Sequence, residues 1–197
     1  MDSSGSIGFD DFERQKDFVI DLARIFQIGP GASRAAVVTY HDWPTVRANF
    51  DDYDTTDSFV KAVDSINQTR GRTRIDRALK QTSEMFKSAR KNVVKVLIAL
   101  TDGVQTPDPD AMPLDAASQL LRDQGVKVYS LGVGHAINKT QLRSMVERDS
   151  DVFLADSFTD LLRKSQEVAE KACSEIRNSK LSAYNLCFLY RICLLIK

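Results

Sequence analysis

The sequence predicts an α/β fold: a doubly wound, mostly parallel sheet with helices on both faces and one antiparallel edge strand. Strand-like and helix-like segments alternate along the chain, the order that parallel sheets require. Residues 93–100 read VVKVLIAL, an almost continuous apolar run typical of a parallel strand covered on both faces. Residues 35–40 and 45–50 are joined by the turn-forming segment HDWP, which predicts an antiparallel pair.

The remaining elements follow from periodicity and capping signals. Phe12, Val19 and Phe26 return to one helical face, as in an amphipathic helix. Gly125 is well placed to end a helix, and Ser157 to begin one as its N-cap. The predicted helices span residues 9–27, 56–66, 73–88, 113–124, about 139–148 and a long stretch from about 157, and the other strands span 93–100, 126–133 and 152–155.

Composition restricts the class of protein. The chain has 197 residues, of which 43% are hydrophobic and 27% are charged, as in an ordinary globular domain. Lys and Arg together number 27, as do Asp and Glu. Because no basic excess or basic stripe favours a polyanion, we expect no nucleic-acid partner. Three cysteines are too few for a disulfide framework, which a chain of this length does not need.

The two ends of the chain are unusual. It begins MDSSGSIG, without the basic flank and apolar run of a signal peptide. From Leu181 onward 13 of 17 residues are apolar or aromatic, but the run is shorter than the ~20 residues of a membrane span and includes Arg191. We interpret residues 179–197 as an appended tail that the fold does not use, rather than as a shortened membrane anchor, and place the domain at residues 1–178.

Three predicted loops carry oxygen-bearing side chains without histidine or cysteine. In a doubly wound sheet, loops at the carboxyl ends of the strands form the functional site. Hydroxyl and carboxylate oxygens suit Mg²⁺ or Mn²⁺ rather than Zn²⁺ or copper. The sequence therefore favours one hard-metal site, to which the segments 2–6, 71–73 and 101–103 contribute two carboxylates and several hydroxyls.

Each loop also has an explanation without metal. The segment DSSGSIG could be a helix-capping turn, because Asp and Ser favour such positions. Thr73 could cap its own helix, with Asp76 completing a weak capping box. Asp102 and Gly103 form a common turn pair. Metal binding is favoured because the three segments together occupy the places where a site would form.

Four segments taken in order make the sequence resemble a known family. DSSGSIG, GRTRIDRAL, IALTDG and YSLGVG resemble the metal-ion-dependent adhesion site and flanking elements of von Willebrand factor A domains. The resemblance covers about residues 2–175 and is closest to extracellular members such as matrilins, collagen-type A domains and integrin inserted domains. It implies a Rossmann-like A-domain fold.

The resemblance also implies roles for the candidate ligands. Ser4, Ser6 and Thr73 would give hydroxyl oxygens to Mg²⁺ (or Mn²⁺), and Asp2 and Asp102 would act directly or through bound water. An open coordination position would take a carboxylate from a partner. That partner would be an extracellular matrix or cell-surface protein such as collagen.

The chain departs from the family pattern at its start. In the family a buried central strand leads into the D-x-S-x-S loop, whereas here only Met1 precedes Asp2. We therefore expect the first strand to be missing and the chain to be a fragment, with any signal peptide lost with that missing N-terminus. The resemblance also implies that Cys173 pairs with a cysteine upstream of the first strand; a buried or free thiol is the alternative. Asn67 and Asn138 begin glycosylation sequons, which are consistent with secretion.

The sequence thus predicts a secreted, non-catalytic, metal-dependent protein-binding module for cell adhesion or extracellular matrix assembly. The alternative is an intracellular A-domain scaffold in a multiprotein complex. No enzyme is expected, because the sequence lacks a G-x-S-x-G elbow and a P-loop, and a turn explains the neighbours His41 and Asp42 as well as an acid–base pair does. A hydrolase that uses Asp2 with a bound metal is a third possibility, for which we expect no turnover. We expect no association with a membrane.

Overall fold

The computed structural model describes residues 8–89, 93–101, 104–134, 137–178 and 190–196, and within them one sheet of six strands. The strands are β1 (Arg34–Tyr40), β2 (Pro44–Ala48), β3 (Val94–Thr101), β4 (Val126–Val133), β5 (Val152–Ala155) and β6 (Tyr190–Ile196). Their order across the sheet is β2–β1–β6–β3–β4–β5. Every neighbouring pair is parallel except β1 and β2, which confirms the predicted fold class.

Helices cover both faces of this sheet. They are α1 (Phe9–Phe26), α2 (Thr56–Asp64), α3 (Ile75–Lys87), α4 (Leu114–Arg122), α5 (Lys139–Met145), α6 (Phe158–Arg163) and α7 (Ser165–Asn178), with a short 3₁₀ helix at Asp149–Asp151. One apolar cluster is formed with α1, α2, α6 and α7, and the other with α3, α4 and α5. No helix in the described parts of the chain is both long and apolar enough to cross a membrane.

The composition of β3 follows from its two covered faces. Val96, Ile98 and Leu100 belong to one apolar cluster, and Leu97 and Ala99 belong to the other. Successive side chains on a strand point to opposite faces, so a strand between two helical layers needs apolar residues at every position. This explains why residues 93–100 lack the alternation of a half-exposed strand.

The predicted long helix from residue 157 is divided into α6 and α7. The Ser157 hydroxyl accepts a backbone N–H of the first turn, which confirms it as the N-cap. At the division, Lys164 N–H donates to the Leu161 carbonyl (2.9 Å), and the Ser165 hydroxyl donates to the Leu162 carbonyl (2.8 Å). Lys164 is thus the C-cap of α6, which ends in a tight turn before α7 begins.

The main difference from the sequence analysis lies at the C-terminal segment. Residues 179–197 were expected to be a tail without a role in the fold, yet β6 lies between β1 and β3 and is parallel to both. Cys193 is in register with Ala36 on one side and Leu97 on the other. The segment YRICLLI is mostly apolar, as a doubly covered central strand requires. Its lack of a clean period, which favoured an appended tail, is equally the property of such a strand.

Because of β6, the sheet is continuous at its centre. The resemblance implies that a strand before the D-x-S-x-S loop takes this central position, and here β6 takes it. Without β6, β1 and β3 would each present an unpaired ladder of N–H and C=O groups. The C-terminal segment therefore joins the β2–β1 pair to the β3–β4–β5 group.

The structure contains a disulfide at Cys173, in the last described helix. Cys173 in α7 is almost fully buried and disulfide-bonded. The other cysteines of the chain, Cys187 and Cys193, both follow α7 in the sequence. This corrects the pairing with an upstream cysteine that the resemblance implied, because the chain carries its own partner C-terminal to α7.

Candidate functional site

The carboxyl ends of the parallel strands define one edge of the sheet, and in open α/β sheets ligands bind at this edge. β1 and β3 end there at Tyr40 and Thr101. The segment that carries Thr73 is tied to this edge, because the Arg74 N–H donates to the carbonyl of His41 (3.2 Å) directly after β1. The fold therefore brings Thr73 to the same edge as the end of β3.

Thr73 is held by a pair of reciprocal hydrogen bonds. Its N–H donates to the Thr106 hydroxyl (3.1 Å), and the Thr106 N–H donates to the Thr73 carbonyl (2.9 Å). Thr73 is buried, and its hydroxyl forms no hydrogen bond with another described residue. Both backbone groups of Thr73 thus form hydrogen bonds that hold the residue in place. Its side-chain oxygen forms none with another described residue and can still bind a metal.

The capping interpretation of Thr73 is wrong. Helix α3 begins at Ile75, and its N-cap residue is Arg74, which makes no side-chain cap hydrogen bond. Asp76 does not complete a capping box, because its carboxylate binds the Arg74 guanidinium and accepts the Met112 N–H (3.1 Å). Thr73 is therefore held for a reason other than starting α3.

The other four candidate ligands, Asp2, Ser4, Ser6 and Asp102, lie outside the described residues, as does the turn interpretation of Asp102 and Gly103. The N-cap of α1 is Gly8, without a side-chain cap hydrogen bond, so no Asp or Ser of DSSGSIG is the N-cap of that helix. The chain places Asp102 directly after Thr101, the last residue of β3. Within the ranges that the structure describes, no group of three or more His, Cys, Asp or Glu could hold a metal ion. The five-residue metal site accordingly stays a prediction, in which Thr73 is the ligand with a described position.

A buried arginine organises the loops around Thr73. Arg74 is 1% exposed and makes two hydrogen bonds to the Asp76 carboxylate, both of 2.9 Å. The same guanidinium reaches Asp110 (2.8 Å) and Asp108 (3.2 Å) in the loop after β3. The hydrogen bonds that Arg74 donates to Asp76 raise the pKa of Arg74 against the opposing effect of burial. Burial would raise the pKa of Asp76, but the bonds from Arg74 and the Met112 N–H outweigh it and hold that pKa below its ordinary value.

A second ion pair, between Arg72 and Asp42, joins the segment before α3 to the β1–β2 turn. Arg72 donates to Asp42 through its Nε (2.6 Å) and its backbone N–H (3.2 Å), which lowers the pKa of Asp42 to about 2. Gly71 is enclosed by the same loop: a Cβ there would lie 2.5 Å from Asp42 Oδ2 and 2.9 Å from His41 Nδ1. Only glycine allows this approach, so the close packing of the two loops depends on residue 71.

A groove runs beside this network. The ring of Trp43 is 63% exposed, and the Arg77 guanidinium carbon lies 3.9 Å from its centroid. Arg77 also donates to the carbonyl of Asp42 and to the carboxylate of Asp110. The groove encloses about 390 Å³ between these residues and α3. Sequence reasoning gave Trp43 no role beyond the turn, although an exposed Trp in a turn is itself a signal of a contact residue.

The geometry does not favour the acid–base interpretation of His41 and Asp42. Their Nδ1 and Oδ2 atoms are 3.6 Å apart, beyond hydrogen-bond distance, and the Asp42 carboxylate is bound to Arg72 instead. The pair therefore serves the β1–β2 turn and its contact with Gly71.

Known proteins resemble this chain in both sequence and fold. A collagen alpha-4(VI) chain of Mus musculus is 35% identical over 190 residues, which are 96% of this chain and 8% of that one. Cuticlin-6 of Caenorhabditis elegans is 35% identical over 164 residues, 83% of this chain and 28% of that one. The chain thus spans a small part of the length of either relative.

Solved structures give the same result. Proximal thread matrix protein 1 from the mussel byssus has a TM-score of 0.77 and 29% identity, over 87% of this chain and 44% of that one. Another structure of that protein, in which zinc occupies the metal-ion-dependent adhesion site (MIDAS) motif, has a TM-score of 0.78. The family model of the von Willebrand factor type A domain matches residues 1–168. This chain is therefore a member of the von Willebrand factor type A domain family.

Proposed function

We propose that this chain is a metal-dependent protein-binding module of cell adhesion or extracellular matrix assembly. One observation carries the proposal. Both backbone groups of Thr73 are bound to Thr106, and its hydroxyl, at the edge where β3 ends, forms no hydrogen bond with another residue that the structure describes. A family whose relatives include collagen chains and a byssus matrix protein makes matrix assembly the setting that we favour.

The proposed metal is Mg²⁺ or Mn²⁺, held by Asp2, Ser4, Ser6, Thr73 and Asp102. These residues supply only hydroxyl and carboxylate oxygens, the donors that such hard cations prefer. The zinc-occupied MIDAS motif of the mussel protein supports metal binding at the equivalent place in this chain. When bound, the metal would accept a carboxylate oxygen from the partner.

The residues of this chain supply the rest of the recognition. The Arg74 network holds the loop after β3 against the Thr73 segment, so the Thr73 hydroxyl needs little rearrangement when a partner binds. Trp43 and Arg77 form an exposed aromatic–cation pair beside that loop, and such residues dominate the energetics of protein interfaces. We propose that a matrix or cell-surface protein such as collagen contacts this pair while its carboxylate reaches the metal.

The extracellular setting is supported by the disulfide at Cys173, because disulfides are rare in reducing compartments. It favours the adhesion module over an intracellular scaffold. We propose that the domain has no catalytic activity, since the described histidine, His41, is not arranged as a base and the relatives are matrix proteins.

The proposed metal binding is tested by thermal unfolding with and without Mg²⁺. At a concentration a hundred times Kd, a ligand stabilises the folded state by ~2.7 kcal/mol, which corresponds to a rise in Tm of roughly 5–10 °C for a domain of this size. Thr73→Val, which removes the hydroxyl and keeps the shape, and Asp102→Ala should abolish the rise. Thr159→Val on the exposed surface of α6 is the matched control and should keep it.

The partner half is tested by binding to a collagen-coated surface. Chelator should abolish binding, and Trp43→Ala should weaken it while leaving the Mg²⁺-dependent rise in Tm intact. Leu120→Ala, which removes another exposed apolar side chain, is the control for nonspecific adhesion. Binding that persists in chelator would show that another surface recognises the partner, and an unchanged rise in Tm in Thr73→Val and Asp102→Ala would refute the ligand set.

A further inference from the structure

The two glycosylation sequons of the chain have different surroundings in the fold. Asn67 lies in the irregular segment between α2 and α3 and is exposed. Its side-chain amide forms no hydrogen bond with any residue that the structure describes. The hydroxyl of Thr69, the third residue of this sequon, is buried and likewise has no hydrogen-bond partner in the described part of the chain. A group attached to Asn67 would therefore break no hydrogen bond of its side chain with the residues that the structure describes.

Asn138, in contrast, is part of the fold. Its Oδ1 accepts the N–H of Gln141 (3.1 Å) and caps α5. The Gln141 side chain in turn accepts the N–H of Gln105 (3.0 Å), one residue before the Thr106 that holds Thr73. A large group on Asn138 would be crowded against a half-buried helix start and against the loop that supports the proposed metal site.

Asn67 also lies near β2, an edge strand of the described sheet. Strand β2 is the last strand on its side, and it pairs only with β1 among the described strands. Asn67 and Arg47 of β2 line the same surface cavity of about 310 Å³, next to α2. An uncovered edge strand is a template for pairing with another chain, and a glycan is bulky and solubilising.

We propose that Asn67 carries an N-linked glycan that covers the open edge of β2, and that Asn138 stays unmodified in the folded protein. The inference rests on the extracellular setting of the proposed function. In the transfer, Asn67 Nδ2 forms a bond to C1 of an oligosaccharide carried on a lipid diphosphate. The C1–O bond to the diphosphate breaks, the lipid diphosphate leaves with the electron pair, and the amide releases one proton.

The assignment is tested by expressing the full chain behind a secretory leader in a eukaryotic host and mapping both sequons by mass spectrometry after glycosidase treatment. One glycan is expected, lost in Asn67→Gln and Thr69→Ala and kept in Thr69→Ser and Asn138→Gln. An unmodified Asn67, or occupancy of Asn138 equal to or above that of Asn67, overturns it. Since the leader imposes entry into the secretory pathway, this result is independent of metal and partner binding, which are measured separately with Mg²⁺ and collagen.

The proposed shielding of β2 by the glycan is tested separately, by measuring self-association. Wild-type glycoprotein and Asn67→Gln should have the same circular dichroism spectrum, and sedimentation should show self-association of the variant at a lower protein concentration. In Asn67→Gln, a further Val46→Lys substitution, which places a charge on the exposed face of β2, should restore the monomer. Equal self-association of glycoprotein and Asn67→Gln would overturn the shielding role.

Discussion

Thr73 and Thr106, which lie in separate loops, bind each other through two backbone N–H groups, one received by a hydroxyl (3.1 Å) and the other by a carbonyl (2.9 Å). The Thr106 side chain is thus the sole described acceptor for the N–H of a buried residue. This pairing connects the loop after β3 to the segment before α3, and so links two of the three stretches that would bind the metal.

Thr106→Val should leave the Thr73 N–H without its acceptor. An unsatisfied buried donor costs about 1–3 kcal/mol, so the free energy of unfolding measured in urea should fall by that amount, and Mg²⁺ affinity should fall with it. Thr106→Ser keeps the hydroxyl and serves as the control. If Val and Ser at position 106 give the same Mg²⁺ affinity, the pairing does not position the ligand.

Arg74 should be the most sensitive charged residue of the described site. Arg74→Met removes the guanidinium but leaves the Asp76 carboxylate buried without its cation, which costs roughly 3–5 kcal/mol of unfolding free energy. Arg163→Met breaks an exposed pair with Asp160 and should cost less than ~1 kcal/mol. Urea unfolding of the two variants measures the difference, and equal losses would contradict the structural role of Arg74.

The same network predicts a response to acid. Asp76 and Asp42 have folded-state pKa values below the ordinary value of 3.8. Their contribution to stability is therefore complete above about pH 4 and is lost as the pH falls through the folded values, about 2 for Asp42. Urea midpoints measured from pH 6 to pH 2 should drop below pH 4, and less steeply in Asp42→Asn. A drop of the same steepness in that variant would contradict the assignment to Asp42.

The sequence was sufficient for most of the sheet, because buried parallel strands such as β3 need unbroken apolar runs. It also located Thr73 at the edge where the site would form. It was insufficient for β6, since an apolar run without period is ambiguous until its pairing with β1 and β3 is known. The Arg74–Asp110 contact joins residues 36 positions apart. Trp43 lines the groove because the assembled fold places the Arg77 guanidinium over its ring. Such contacts depend on the assembled fold and leave no local pattern.

Gly71→Ala should disturb the loops without touching a proposed ligand. The new methyl group would meet the Asp42 carboxylate at 2.5 Å, so Asp42 must move and its bond to Arg72 must weaken. Overpacking of this kind costs about 1–3 kcal/mol. Gly31→Ala is the matched control, because a Cβ there has no neighbour within 4 Å. Thermal melts of the two variants should separate clearly; similar Tm values would show that the loops can rearrange freely around residue 71.

The place of β6 can be tested by cross-linking. Val38 on β1 is in register with Leu195 on β6, and neighbouring strands are about 4.8 Å apart, within the Cα range that a disulfide spans. Val38→Cys with Leu195→Cys should therefore form a disulfide within one chain. Val38→Cys with Leu194→Cys is the control, because adjacent positions on a strand face opposite sides of the sheet.

Peptide mapping distinguishes the outcomes, since the engineered bond must be separated from bonds made by Cys173, Cys187 and Cys193. An intramolecular 38–195 link in the test variant and its absence in the control would place the C-terminal segment at the centre of the sheet. A 38–195 link between two molecules would mean that a second copy donates the strand. No link, or equal linking in both variants, would mean that β1 and β3 are not joined by this segment.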